Sequence, residues 1–294
     1  MSVDPAHRCF VSYIDRTREY YGALGYGRPY RWSHDPGIPP FAALPGPLGE
    51  LRLGVVITSY PPMGPGEPSQ ATAPYVLGID EGRVGPDDEI RPAADVAMAG
   101  RRDIAPAVTA LRAQAASGRI GSLSPRFYGV PTEYSQRRTT EQDAPFVLEQ
   151  ARRDEVDAMV LLPYRPVCHQ THALVARHLE ANGMPTVVIG SARDIVEQAG
   201  VARFLFTDIE LCHPTGHPER PEEARLICDE ALALLERAWA PRTTVQSVVR
   251  WEDDRWRQSY MAVDEAKRAE LAAAGEARRL DQEQARTDGR ARTS

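Results

Sequence analysis

Cysteines are scarce: four, at positions 9, 168, 212 and 228, too few and too irregularly spaced for a disulfide framework, so reduced thiols are expected. Long apolar runs are missing too, and nothing approaches the ~20 residues that cross a bilayer. The opening MSVDPAHRCF lacks the basic and apolar regions of a signal peptide, which points to a cytoplasmic chain. No basic block interrupts a formal net charge of −6, so neither nucleic acid nor anionic membrane is expected as a partner. Phosphate-binding glycine loops are absent, because Gly64-Pro65-Gly66 reads as a turn with no helix behind it. No internal repeat is evident.

What is present is enough apolar residue for a sizeable core: 42% of 294. Residues 10–24 read as an amphipathic helix, a Pro- and Gly-rich connector covers 25–50, and LRLGVVITS (51–59) reads as a strand. Residues 60–95 hold many of the 25 prolines without sustained periodicity, and are expected to form an irregular Pro/Gly-rich cap. Helices follow at 103–117 and about 141–153, the second preceded by Thr140. Strands at 158–162, 185–191 and 203–208 then alternate with a helix that opens at Pro166 and is capped by Gly183, with ARDIVEQAG and with a helix at 220–239. That alternation predicts an α/β fold with a mostly parallel sheet and flanking helices. Residues 1–265 are expected to form one domain, and 266–294 a charged helical or disordered tail.

The most informative stretch is 156–190. Ala158 to Leu162 carries no charge and ends at Pro163, as suits a strand covered on both faces. Pro166 fits a first helical position and Gly183 a C-terminal stop. Cys168 is therefore expected in the first turn of a helix, at the carboxyl end of a parallel strand. Open α/β sheets bind ligands at that edge, and the unpaired N–H groups of a helix start favour an ionised thiol. The alternative is a buried structural cysteine. Arg165, just outside the helix, either favours the thiolate or binds a substrate carboxylate, or is a solvated surface residue. His172 shares a helical face with Cys168, as either a base or a core imidazole.

The strings GRIGSLSPRFYGVPTEYSQRRT (118–139), PVCHQTHALVARHLEANGMPTVVIGSARDIVE (166–197), RFLFTD with HPTGHP (213–218), and WRQSYMAVD (256–264) resemble the selenoprotein B-like family of glycine, sarcosine, betaine and D-proline reductases. That resemblance implies a thiol- or selenol-dependent reductase acting on a small amine or amino-acid derivative. It also implies a partner subunit carrying a pyruvoyl group, which this chain does not itself supply. The family's reactive pair is a selenocysteine or cysteine, two spacers, then Cys-His. Here the order is Arg165-Pro166-Val167-Cys168-His169, so arginine stands in the first reactive position. Cys168 would be the nucleophile and His169 would manage the proton. A single thiol cannot deliver two electrons and leave as a disulfide. Cys212 is accordingly a candidate resolving thiol, with a thioredoxin-like reductant as a further partner.

Arg137, Arg138 and Tyr134 form a polar loop in the first matching string, and Arg165, Arg137 and Arg138 are candidates to fix an anionic group. No cofactor is evident. Cys168, His169, Cys212 and His213 make a weak alternative metal set, for a lyase or hydrolase, without the tight turns of a zinc knuckle. A non-catalytic member that binds a small molecule or partner subunit is the other competing reading.

Overall fold

Seven strands make one sheet in the order β2-β5-β1-β6-β7-β8-β9 in a computed structural model of the chain. The structure describes residues 10–58, 73–78, 83–84, 90–91, 104–132, 134–251 and 253–287. In chain order the strands are β1 (Arg52–Ile57), β2 (Tyr75–Gly78), β3 (Arg83–Val84), β4 (Ile90–Arg91), β5 (Ser122–Gly129), β6 (Ala158–Leu162), β7 (Thr186–Gly190), β8 (Arg203–Phe206) and β9 (Thr243–Gln246). Strands β3 and β4 pair separately. Only β2, at one edge of the large sheet, runs antiparallel; every other neighbouring pair is parallel. The expected α/β class with a mostly parallel sheet is what forms.

The chain divides into two compact units, residues 33–252 and residues 1–32 with 253–294. Within the larger unit, helices cover both faces of the sheet. Strand residues alternate between them because successive side chains point to opposite sides. Leu53, Val55 and Ile57 of β1 lie in one layer with α2 (Ile104–Ala116) and α6 (Pro221–Arg237). Val56, Tyr128, Leu161 and Val188 lie in the other, with α3 (Ala144–Arg153), α4 (Pro166–Ala181) and α5 (Arg193–Ala199). Buried on both faces, β6 and β7 therefore read as unbroken apolar runs.

Element ends follow the local chemistry. Helix α4 begins at Pro166, where a missing N–H costs nothing, and stops before Gly183, whose φ of 82° only glycine adopts without strain. The stretch expected as a helix from about 141 is more complex. A single turn at Gln136–Arg138 runs into a π-helical segment, Thr139–Asp143, and then α3. Such π segments widen a helix locally and often sit beside functional sites. Strands β5 and β9 lie in segments not expected to be strands. Most of the expected cap, 60–95, lies outside the described residues.

The connector after residue 32 is docked rather than loose. It runs along α4: the Ser33 amide donates to Gln170 Oε1 at 2.7 Å, Arg177 pairs with Asp35, and the Ala42 amide donates to Glu180. Glu180 and Arg203 form a fully buried ion pair at 2.9 Å, with Arg203 also stacked over Phe41. Burial disfavours both charges, while the Thr186 and Ala42 amides and the Arg203 guanidinium together hold the Glu180 carboxylate.

In the smaller unit, α1 (Tyr13–Ala23) packs against α8 (Glu265–Thr287), and Gly275 lets α8 meet the Leu24 backbone closely. Tyr13 stacks edge-on with Tyr260, beyond α7 (Arg255–Ser259), at 4.9 Å between ring centres. Residues 266–287 of the expected tail lie within this helix. No helix among the described residues is long and apolar enough to cross a membrane.

Candidate functional site

The chain leaves β1 to form β5 on one side, then returns past it to form β6 on the other. Strand order reverses between β1 and β6, and ligands of open α/β sheets bind outside the carboxyl ends at such a point. Residues 163–168 lie there. Cys168 occupies the third position of α4, as the sequence predicts. Its sulfur lies 3.3 Å from Thr132 Oγ1, just past the end of β5. The neighbouring atom is thus a hydroxyl rather than hydrocarbon, although only 3% of Cys168 is exposed.

Helix α4 opens without a cap. Arg165 is the N-cap residue, with φ −118° and ψ 166°, and makes no side-chain capping bond. Serine, threonine or aspartate there would satisfy a first-turn amide, a contribution of about 1 kcal/mol. The exposed Arg165 instead brings a positive charge to the positive end of the helix dipole.

His169 is held at both ring nitrogens. Nδ1–H donates to the Arg165 carbonyl at 2.8 Å, and Nε2 accepts from the Ser191 amide at 3.0 Å. Burial pushes it down to about 3, against a raising effect of the Arg165 bond, so the ring is neutral. It ties the start of α4 to the end of β7, and proton transfer would require giving up one of those bonds. Gly190 makes room for it, because a Cβ there would lie 2.5 Å from Nε2. His172 is buried deeper. Its nitrogens face the carbonyls of Cys168 at 2.9 Å and Val56 at 3.2 Å, and burial pushes it down to about 4. It fills the core against β1.

Tertiary structure brings the polar loop to this helix start through Gln136, whose amide reaches Gln170 Oε1 at 3.3 Å. Tyr134 is exposed, and Arg137 extends into solvent with Glu141 at 3.9 Å, while Arg138 is half-buried. Neither Arg137 nor Tyr134 is drawn against the sulfur.

Cys212 has a left-handed backbone, φ 74°, which costs a non-glycine residue about 1–3 kcal/mol. Its amide donates to the Tyr164 carbonyl at 3.0 Å, so this loop docks on the residue beside Arg165. The loop is anchored further along. His217 stacks on Trp251 at 3.6 Å, and its ring and amide both bond Glu223. Burial opposes ionisation of Glu223, yet those bonds and Arg220 hold its carboxyl below the ordinary range. His213 lies near the same indole, 5.2 Å between rings.

The same residues bear on the metal alternative. Among the described residues no group of three or more His, Cys, Asp or Glu side chains is arranged to hold an ion. His169 has both nitrogens committed to backbone groups, and His213 turns toward Trp251, so Cys168, His169, Cys212 and His213 do not make a shared ligand set. Cys228 is a core residue of α6, and burial pushes its thiol up to about 12.

Sequence reasoning missed Thr132, Gly190 and the Glu180–Arg203 pair. Thr132 lies inside a string already singled out, but nothing local marks it as the sulfur's neighbour.

One comparison bears on this geometry. Over 126 residues the chain is 29% identical to the D-proline reductase subunit gamma of Acetoanaerobium sticklandii. The match covers 42% of this chain and 52% of the relative, so the chain spans about half the length of that protein. No family model matches, and no solved structure matches.

Proposed function

We propose that this chain is a thiol-dependent, reductase-like protein of the glycine, sarcosine, betaine and D-proline reductase kind, selenoprotein B-like in its motif. Its substrate is a small amine or amino-acid derivative, and its compartment the cytoplasm. The observation that carries the reading is the sulfur of Cys168, hydrogen-bonded to Thr132 in the first turn of an uncapped helix at the sheet's switch point. Similarity to a subunit named for D-proline reductase supports it.

In this reading Cys168 is the nucleophile. Arg165, with Arg137, Arg138 and Tyr134 at the outer rim, attracts an anionic group of the substrate. His169 holds the start of α4 in place, and a proton role for it would proceed through exchange of its Ser191 bond. Cys212 is the second thiol, because its backbone is bonded to Tyr164, next to the position where the family carries its first reactive residue. Oxidation of two thiols to a disulfide releases two electrons and two protons. Those suffice to cleave one C–N bond into C–H and N–H, and a dithiol protein of the thioredoxin type would restore the pair. A partner subunit, holding the substrate amine, completes the reading; no metal enters it.

The test is oxidation of the native protein with oxidised glutathione, followed by peptide mapping. A Cys168–Cys212 disulfide, absent in Cys212→Ser, is expected, together with dithiol-dependent reduction of D-proline or a related amine when a partner subunit is supplied. Alkylation of Cys168 without any Cys212 pairing would remove the two-thiol account.

A second reading is a binding protein without turnover. The small exposure of Cys168 and the full engagement of the His169 ring favour it. It predicts unchanged ligand affinity in Cys168→Ser and no reduction under any partner condition.

A further inference from the structure

The large sheet ends at β9 with an open side. Among the described residues no strand pairs with it beyond β8. The Thr243 amide donates to the Ala202 carbonyl at 3.1 Å, and the Ser247 amide to the Phe206 carbonyl at 2.9 Å. The two-residue period of a strand turns Val245 inward as well, so Thr244 and Gln246 aim their N–H and C=O groups outward. Edge strands usually carry lysine, proline or a bulge that stops another chain from pairing with them. TTVQ carries none of these.

The flank of that edge is apolar. Val245 pairs with Leu205, a residue of the α6 layer, and so faces the α6 side of the sheet. It is exposed, as are Val248 just beyond β9, at 64%, and Trp239 just after α6, at 90%. Leu226, Glu230, Ala233 and Arg237 follow one another at helical spacing and form a stripe along α6. Glu230 accepts the Val248 amide at 2.9 Å, so this stripe borders the open edge.

Charge indicates what covers it. Helix α6 runs against the strands, from Glu230 beside the end of β9 to Arg237 shortly before its start. A two-fold axis through Val245 would set the start of β9 beside the end of an identical β9. Thr244 of each copy then pairs with Gln246 of the other, which uses every outward N–H and C=O of those two residues. The same rotation brings Arg237 of each copy toward Glu230 of the other, and Trp239 toward Val248. Opposite charges meet, and the uncharged strand sets no like charges against each other.

We infer that β9 and the adjoining stripe of α6 bind a second copy of this chain, joining two sheets edge to edge in antiparallel register about Val245. Both copies use the same surface, so the contact closes and the assembly stops at a dimer. Nothing in it depends on the reading of Cys168.

Sedimentation velocity of the full chain, combined with cross-linking, tests this. A dimer is expected at micromolar concentration. Val245→Lys, which sets two like charges face to face on the axis, should be monomeric under the same conditions. Arg237→Glu should weaken association about tenfold, and Arg237→Glu/Glu230→Arg should restore it. In this register the two residues 245 form a pair with Cα atoms about 4.5 Å apart, within disulfide reach. Oxidised glutathione should therefore join two copies of Val245→Cys through a 245–245 disulfide, leaving two molecules of reduced glutathione; peptide mapping identifies the link. This conservative variant serves if the lysine variant does not fold. A wild-type chain that stays monomeric would overturn the inference, as would a dimer that yields no 245–245 disulfide or that survives Val245→Lys unchanged.

Discussion

Gly190→Ala offers the sharpest test of how the start of α4 is held. The added Cβ would lie 2.5 Å from His169 Nε2, 2.7 Å from its Cδ2 and 3.1 Å from Pro163 Cγ. Exposed side chains yield easily to such a contact. His169 does not, because it is 1% exposed and bonded at both nitrogens. To escape, the ring must abandon the Ser191 amide, a buried donor whose loss costs about 1–3 kcal/mol. Overpacking of the surrounding core adds about 1–3 kcal/mol. Together about 2–6 kcal/mol is expected, a large part of the roughly 5–15 kcal/mol that holds a domain folded. Urea denaturation with a constant m-value would read this directly. The same change in a His169→Ala background meets no ring, and should cost at least about 2 kcal/mol less. A loss under about 0.5 kcal/mol in the single variant would refute the claim that His169 is a fixed tie between α4 and β7.

Burial holds His169 near 3 and His172 near 4 in the folded protein, below the ordinary 6.5, so the unfolded chain binds the extra protons. Stability should be complete above about pH 6.5 and fall as pH drops toward 4, by up to about 1.4 kcal/mol per pH unit for each group; urea midpoints at pH 7 and 5 check it. His172→Asn, which keeps a donor and an acceptor, should remove one group's share of that slope. Glu180→Gln strands the Arg203 charge inside the protein and should cost about 3–5 kcal/mol, with much of the loss recovered in Glu180→Gln/Arg203→Met. Cys168→Ser keeps a hydroxyl for Thr132, so denaturation should shift by less than about 1 kcal/mol while alkylation and turnover at this position disappear. In Arg165→Cys/Cys212→Ser, oxidation should join residues 165 and 168; failure to do so would misplace residue 165 relative to the Cys168 sulfur.

Some of this site was legible from local pattern. Pro163, Pro166 and Gly183 bracket a strand and a helix by backbone chemistry alone, and the observed limits Ala158–Leu162 and Pro166–Ala181 agree. Strands β5 and β9 escaped for a physical reason: SLSPRFYG carries a proline and polar residues, and TTVQ is short and half-exposed at an edge. Neither shows clean alternation, and both are strands because a neighbour supplies the hydrogen-bonding edge. The π segment at Thr139–Asp143 has no sequence signature either.

Local sequence determined that a thiol would open a helix at the end of a fully buried strand, since proline, glycine and an uncharged run act through the chain's own dihedrals and burial. Only the tertiary structure decided which groups surround that thiol. Thr132 meets the sulfur, the Ser191 amide meets the His169 ring and the Cys212 amide meets the Tyr164 carbonyl; these come from three other segments, and strand order, a non-local property set by the whole sheet, brings them to the start of α4.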